Sequence, residues 1–320
     1  MFEKGEVRSL EDRTDLVIAE VEVGGESIRA VGFPAMLGPV RPGDRVVVNT
    51  TGVRLHLGTG GVGFLLWNLD GAGPAPEAPG HVMKLRYTPW QMPVLAAEAP
   101  ESPHHEALKQ VRSVDGMPVV ACGLHSQIAG VVAGIRAGAP GARIGYLMTD
   151  GGALPLAWSD LVRSLLDRGL IDVTATSGHA FGGDLEAINV FSGLAALKHA
   201  AGADVVVAGM GPGVAGTATG LGFTGIEQGQ LLDAATALGG RSIACVRLGF
   251  ADERARHRGI SHHTLTALGL AARERATVVL PGLDGERASL VAAQLREAGI
   301  DSRHEVLVAD GRPGLDLLRR

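Results

Sequence analysis

The chain has 320 residues, 46% of them hydrophobic and 20% charged, which is enough for one large or two smaller domains with buried cores and excludes a peptide module or a disordered tail. Lys plus Arg number 29 against 34 Asp plus Glu, a formal charge of -5, which argues against general binding of nucleic acid or of an anionic membrane. Aromatic residues make up only 4%, so a stacking platform for single strands is disfavoured as well.

The opening segment MFEKGEVRSLEDRTDLVIAE carries charge throughout and has no apolar run suited to a signal peptide or a membrane span, so a cytoplasmic location is expected. From Leu16 to Tyr87 the chain reads as five strands: LVIAEVEV, ESIRAVGF, DRVVVNT, GVGFLLWNL and HVMKLRY. Gly24-Gly25, Arg41-Pro42-Gly43-Asp44 and a Pro-rich stretch, 70–80, separate them, and the last of these reads as an exposed loop. No amphipathic helix interrupts these runs, which predicts a small antiparallel β-barrel of OB-like or SH3-like type over residues 1–95.

A second Pro-containing stretch, AAEAPESPHHE, closes this region, and Ser102-Pro103 has the cap-then-first-position order of a helix start. Beyond it, apolar runs alternate with helical patterns: PVVACG, ARIGYLM, LIDVTAT, DVVVAGM, SIACVRLG, ATVVLP and HEVLVA. That alternation predicts a doubly wound, mostly parallel, Rossmann-like α/β domain over residues 96–320. After the first of these strands Leu124, Ile128, Val131, Val132 and Ile135 share one helical stripe, and Gly130, Gly134 and Gly138 form another that would admit a close neighbour. The segment DLEAINVFSGLAALKHA reads as a single helix opened by Asp184 and Glu186. Cys122 and Cys245 stand in or at the end of apolar runs and read as core residues, whereas His104, His105, His199 and His304 read as surface residues.

Ligands of open α/β sheets bind outside the carboxyl ends of the strands, which selects His125 after the first strand, Asp150 after the second and His179 after the third. The fourth strand runs into a segment with seven glycines in seventeen positions, 209–225, including Gly211-Pro-Gly213-Val-Ala-Gly216. Such a loop can turn backbone amides toward a phosphate, with the Thr217 hydroxyl beside them; the alternative is a structural turn. It lacks a Gly-Lys-Ser/Thr ending, and the next strand ends at Arg247 where a ribose-binding acid would be wanted, so NAD is disfavoured and the cofactor stays unknown.

After the fifth strand Arg247, Arg254, Arg256 and Arg258 fall within twelve residues, accompanied by His257, His262 and His263, with Ser261 as an N-cap. The functional reading is an anionic small molecule held by Arg254, Arg256 and Arg258, the 211–216 loop and the Ser261–His263 turn. His179 or His262 would be the acid or base, and Asp150 would orient a histidine or hold a divalent ion. The alternative is a solvated loop paired with Asp252 and Glu253. A divalent metal stays open, since His125, Asp150, His179, Asp184, Glu186 and His257 have ligand chemistry, although no H-E-x-x-H or C-x-x-C spacing is present.

The strings CGLHSQ, HAFGGDLEA, GMGPGVAGTATGLGFTG and RHRGISHHTLTALG resemble the bacterial domain-of-unknown-function family 3866, over nearly the whole chain. That resemblance implies a cytoplasmic protein of this length and supplies no reaction. The leading expectation is a hydrolase or group transferase acting on a phosphorylated or carboxylated small molecule at the carboxyl edge of the sheet. From another class comes a non-catalytic metabolite-binding or assembly protein that docks a partner through the barrel. A homodimer is expected from base rates alone.

Overall fold

Buried Val17, Ala19, Val21 and Val23 alternate with outward-facing residues along one strand, and the same period-two pattern rolls the N-terminal part of the chain into a closed barrel. The computed structural model describes residues 1–58, 60–74 and 80–319. By internal packing the chain divides into one unit of residues 1–79 with 85–93 and a second of residues 80–84 with 94–320.

The barrel strands are β1 (Phe2–Asp12), β2 (Val17–Val23), β3 (Glu26–Gly32), β4 (Arg45–Asn49) and β5 (Gly63–Asn68), in the order β1-β2-β3-β5-β4. All pairs are antiparallel except β3 with β5, and this order with one parallel closure is that of an OB barrel. Val7, Ile28, Ala30, Val46, Val48 and Leu65 fill the interior. The strand expected over 81–87 is not part of the barrel; its place is taken by β1. That strand is hard to read because only Val7 is fully buried on it while Glu3, Glu6, Arg8 and Glu11 interrupt any apolar alternation, and a bulge follows Val7. Of the Pro-rich stretch expected as an exposed loop, residues 75–79 lie outside the described residues.

In the second unit eight strands form one parallel sheet: β6 (Pro118–Cys122), β7 (Ile144–Thr149), β8 (Val173–Ser177), β9 (Leu185–Ala187), β10 (Val205–Met210), β11 (Arg241–Cys245), β12 (Thr277–Pro281) and β13 (Glu305–Ala309). Their order is β9-β8-β7-β10-β6-β11-β12-β13. Helices α1 (Gln127–Gly138), α2 (Asp160–Asp167) and α6 (Arg312–Arg319) cover one face, where Ile128, Val132, Val162 and Leu165 meet Tyr146 and Met148. Helices α3 (Val190–His199), α4 (Glu227–Ala237) and α5 (Gly285–Glu297) cover the other, where Leu194, Leu197, Leu231 and Leu295 meet Leu147, Val206 and Val278. Each fully buried Leu or Ile contributes about 2 kcal/mol, so two continuous apolar layers dominate the stability of this unit.

The helix expected from Asp184 starts later. Leu185–Ala187 is a strand, because the Glu186 carboxylate is drawn inward by the Lys84 ammonium (2.5 Å), the Thr176 hydroxyl (2.6 Å) and the Gly182 amide (2.7 Å). Helix α3 begins at Val190, where Asn189 and Ser192 form a reciprocal capping box. The helix start read at Ser102-Pro103 yields only the single turn His105–Leu108. His304 is 4% exposed, not a surface residue: its Nε2–H donates to the Leu268 carbonyl (2.9 Å) and its Nδ1 accepts from the Ala276 amide (3.2 Å). The close approach expected on the α1 glycine stripe does occur, but another glycine permits it. A Cβ on Gly134 would meet nothing within 4 Å, whereas one on Gly314 of α6 would lie 2.8 Å from the Gly134 Cα and N.

Strand β6 leaves through α1 toward β7, while its neighbour β10 leaves through α4 toward β11, over the opposite face. Connections that diverge in this way open a crevice at the carboxyl ends of β10 and β6. Gln228 pins α4 over that edge, its amide donating to the Ala121 carbonyl of β6 and the Cys245 carbonyl of β11, both at 2.8 Å.

Candidate functional site

Where β11 ends, Leu248–Gly249 pairs antiparallel with Gly259–Ile260, and this short ribbon holds the intervening arginine-rich turn against the sheet edge. The Ser261 amide donates to the Arg247 carbonyl (2.9 Å), and the Arg247 amide donates to the Thr264 hydroxyl (3.1 Å). Ser261 is wholly buried and caps the helix His262–Thr266 by accepting from the His263 amide at 3.3 Å. The backbone then continues as a wider π-helical turn, Ala267–Ala271.

Three histidine rings converge here. Ring centroids of His262 and His263 are 4.3 Å apart, those of His257 and His262 5.0 Å, and those of His257 and His263 5.3 Å. Phe223, from the end of the glycine-rich segment, stacks on His263 at 4.2 Å with the rings 7° from parallel. Arg256 can only donate, so its contact with His257 Nε2 (3.4 Å) makes that nitrogen the acceptor and places the proton on Nδ1, which donates to the Ser261 hydroxyl oxygen (2.8 Å). Nε2 of His262 and Nδ1 of His263 are buried and have no hydrogen-bond partner among the described residues.

Burial first, and then neighbouring arginines and histidines, lower the pKa of all three rings. His257 is lowered by burial and then by Arg247, Arg254 and His262, against a smaller opposing pull from Asp252. His262 is lowered by burial and by Arg256, Arg247 and Arg254. His263 is pushed down to about 4 by burial, by the other two histidines and by Arg247 and Arg256. Asp252 carries the only negative charge among these groups. Arg254 binds it through its backbone amide, its Nε and its Nη2 (2.9 Å), which holds the carboxyl far below the usual range.

These groups surround a cavity of about 290 Å³. The glycine-rich loop contributes Val214, Ala215, Gly216 and Ala218, and the segment after β11 contributes Arg247, Arg254, Arg256, His257, His262 and His263. Ala218 has φ 60, a left-handed conformation that a residue with a side chain adopts at a cost of about 1–3 kcal/mol, and it lies in the cavity wall. The structure therefore brings together Gly216, Arg254, Arg256, His262 and His263 of the residues singled out from sequence. Ser261 stands behind them as a support. Gly211 and Gly213 belong to the same loop without lining the cavity, and the Thr217 hydroxyl bonds inside the loop, to the Gly222 carbonyl (3.1 Å) and Thr219 Oγ1 (3.0 Å). The Arg258 side chain is exposed, and its carbonyl accepts from Gln294 Nε2 (2.9 Å).

The remaining three lie elsewhere on the same edge. His125 donates from Nδ1 to the Met210 carbonyl (3.0 Å) and accepts at Nε2 from the Ser159 hydroxyl (2.7 Å); burial lowers its pKa, partly opposed by Met210. Asp150 accepts from the backbone amide of His179 (2.9 Å). The turn between them demands glycine: Gly178 has φ 66, and a Cβ there would fall 2.3 Å from Asp150 Oδ2.

Glu227, which no motif marks, lies beside this second group. It accepts from the Thr149 hydroxyl (2.6 Å), and burial raises its pKa to about 7, against the Thr149 bond and with help from Asp150. In sequence it is an ordinary acid at a helix start. Among the described residues no three His, Cys, Asp or Glu side chains converge as a metal-binding set. Nor is any helix among them long and apolar enough to cross a membrane.

An OB barrel followed by a doubly wound parallel sheet, with an arginine- and histidine-lined cavity at the sheet's carboxyl edge, defines the class of this protein as a two-unit α/β protein. The family model for the protein of unknown function DUF3866 matches residues 29–320, and the chain belongs to that family. No curated protein and no solved structure is significantly similar to it.

Proposed function

We propose that the chain is an enzyme, a hydrolase or group transferase, that holds a phosphorylated or carboxylated small molecule at the carboxyl edge of its parallel sheet. One observation carries this reading: an uncharged glycine-rich loop, three arginines and three histidines whose pKa values are lowered by burial share one cavity of about 290 Å³. Arg247, Arg254 and Arg256 neutralise the anion through charge-assisted hydrogen bonds, the loop around Gly216 brings its backbone close, and His262 exchanges the proton. A cytoplasmic homodimer is part of the same proposal.

A thermal-shift screen of phosphorylated metabolites and dicarboxylates, with and without divalent cations, tests it. A ligand at 100 times its Kd adds about 2.7 kcal/mol, a shift of several degrees. The expected result is a hit that Arg256→Ala abolishes and that the wild-type protein converts while His262→Ala does not. If both substitutions leave affinity and turnover unchanged, the site is misplaced. A ligand that binds, returns unchanged and alters the oligomeric state would replace the enzyme with a metabolite-binding assembly protein.

A further inference from the structure

The charge lining the cavity is countable. Arg247, Arg254 and Arg256 bring three positive charges, and Asp252 lies 2.9 Å from Arg254 and 3.8 Å from Arg247, leaving a net two. A dianion cancels that charge; a monocarboxylate leaves one guanidinium without a counter-charge, which is costly wherever water is displaced. Guanidinium forks also match the oxygens of a phosphoryl group, and a cavity of about 290 Å³ sits at the small end of ligand sites, sized for a phosphoryl head and a compact body. Against the guanidiniums stand three imidazoles, two of them with a buried ring nitrogen left unpartnered. We infer that the cavity takes a phosphate monoester or diphosphate as its dianion, and that the histidine trio takes up a proton as it binds.

This rests on the anion-site reading above and narrows it. The charged and titratable groups facing the trio are Arg247 from the strand end, Asp252, Arg254 and Arg256 from the turn, and the histidines themselves. The other elements against that helix, Thr224–Ile226 and Ala267–Ala271, contain no titratable residue, and the lining part of the glycine-rich loop contains none either. Without ligand the arginines therefore decide the balance and the rings stay neutral. Two negative charges placed among them cancel the arginine repulsion and set an oxyanion beside the rings, so an imidazolium becomes favourable. By linkage, proton uptake on binding requires affinity to rise as pH falls through the raised pKa of the complex, by about tenfold per pH unit for each proton, levelling at the free-protein pKa.

Calorimetric titration with sulfate and with inorganic pyrophosphate between pH 6 and 8, in buffers of different ionisation enthalpy, tests the inference. Sulfate keeps its charge over this range, so its pH dependence reports the protein alone. Expected are binding of both probes, up to one proton taken up with sulfate, and an affinity that weakens with rising pH by a factor approaching ten per unit. His262→Asn together with His263→Gln flattens that slope, His262→Asn alone reduces it should the double variant not fold, and Arg256→Ala weakens binding at every pH with the slope retained. Pyrophosphate and sulfate binding that needs Arg256 but shows no proton uptake would overturn the inference and leave the anion site standing. Acetate binding as tightly as pyrophosphate would overturn the dianion assignment, and no binding of any probe would overturn both readings.

Discussion

Replacing Lys84 by Met would remove an ammonium group that the second unit has built around. Lys84 is 1% exposed, and its Nζ donates to the Thr176 carbonyl (3.1 Å), the Ala180 carbonyl and the Glu186 carboxylate (2.5 Å), so all three N–H bonds are used. Burial lowers its pKa, and Glu186 opposes that shift. Met fills the same volume but takes one donor from each of two carbonyls and leaves a carboxylate, 14% exposed, without its counter-charge, although Thr176 and Gly182 still bond to it. Breaking one side of a buried pair costs about 3–5 kcal/mol. At roughly 2–4 °C per kcal/mol for a unit of this size, Tm falls by about 6–20 °C. Urea unfolding of Lys84→Met, Glu186→Gln and the double variant forms the assay, and the double variant should recover much of the loss because the orphaned charge is gone. A cost below about 1 kcal/mol for Lys84→Met would refute the reasoning.

Three further substitutions follow from the same structure. Glu227 has a folded pKa of about 7, above its unfolded value of 4.5, so its contribution is fully present below pH 4.5 and is lost as pH rises to about 7. Glu227→Gln keeps an acceptor for Thr149 and removes that loss; unfolding free energies from urea titrations should match wild type near pH 4.5 and exceed it by about 3 kcal/mol at pH 8, and equal stabilities at pH 8 would contradict the burial argument. Gly314→Ala would press a methyl to 2.8 Å from the Gly134 backbone and is expected to cost about 1–3 kcal/mol, less a helix-propensity gain of up to about 1 kcal/mol. Gly130→Ala on α1 meets nothing within 4 Å and should stabilise by about 0.5–1 kcal/mol, so thermal melts that rank the two the other way would reject the packing account.

Strands with a buried face announced themselves, because Val, Ile and Leu recur at the period the backbone imposes; PVVACG, DVVVAGM and ATVVLP needed nothing else. Strand β1 did not, since a barrel strand that faces water on most positions carries Glu and Arg where the pattern is sought. Strand β9 was hidden by tertiary partners: Lys84, at a separation of 102 residues, and Thr176 hold the Glu186 carboxylate inward, together with the Gly182 amide. At the site, local clustering along the chain disclosed Arg254, Arg256, His262 and His263. Neither Phe223 stacked on His263 nor Glu227 beside Thr149 has a local signature, because each acquires its environment from another element.

The assignment of residues 80–84 to the second unit and 85–93 to the first means that the backbone passes between the units three times. No single breakpoint in the gene then separates them. A break after residue 79 strands 85–93 with the wrong partner, and a break after residue 93 strands the lysine-bearing segment 80–84. A single junction cannot move either unit intact, and the family match from 29 to 320 crosses all three passages.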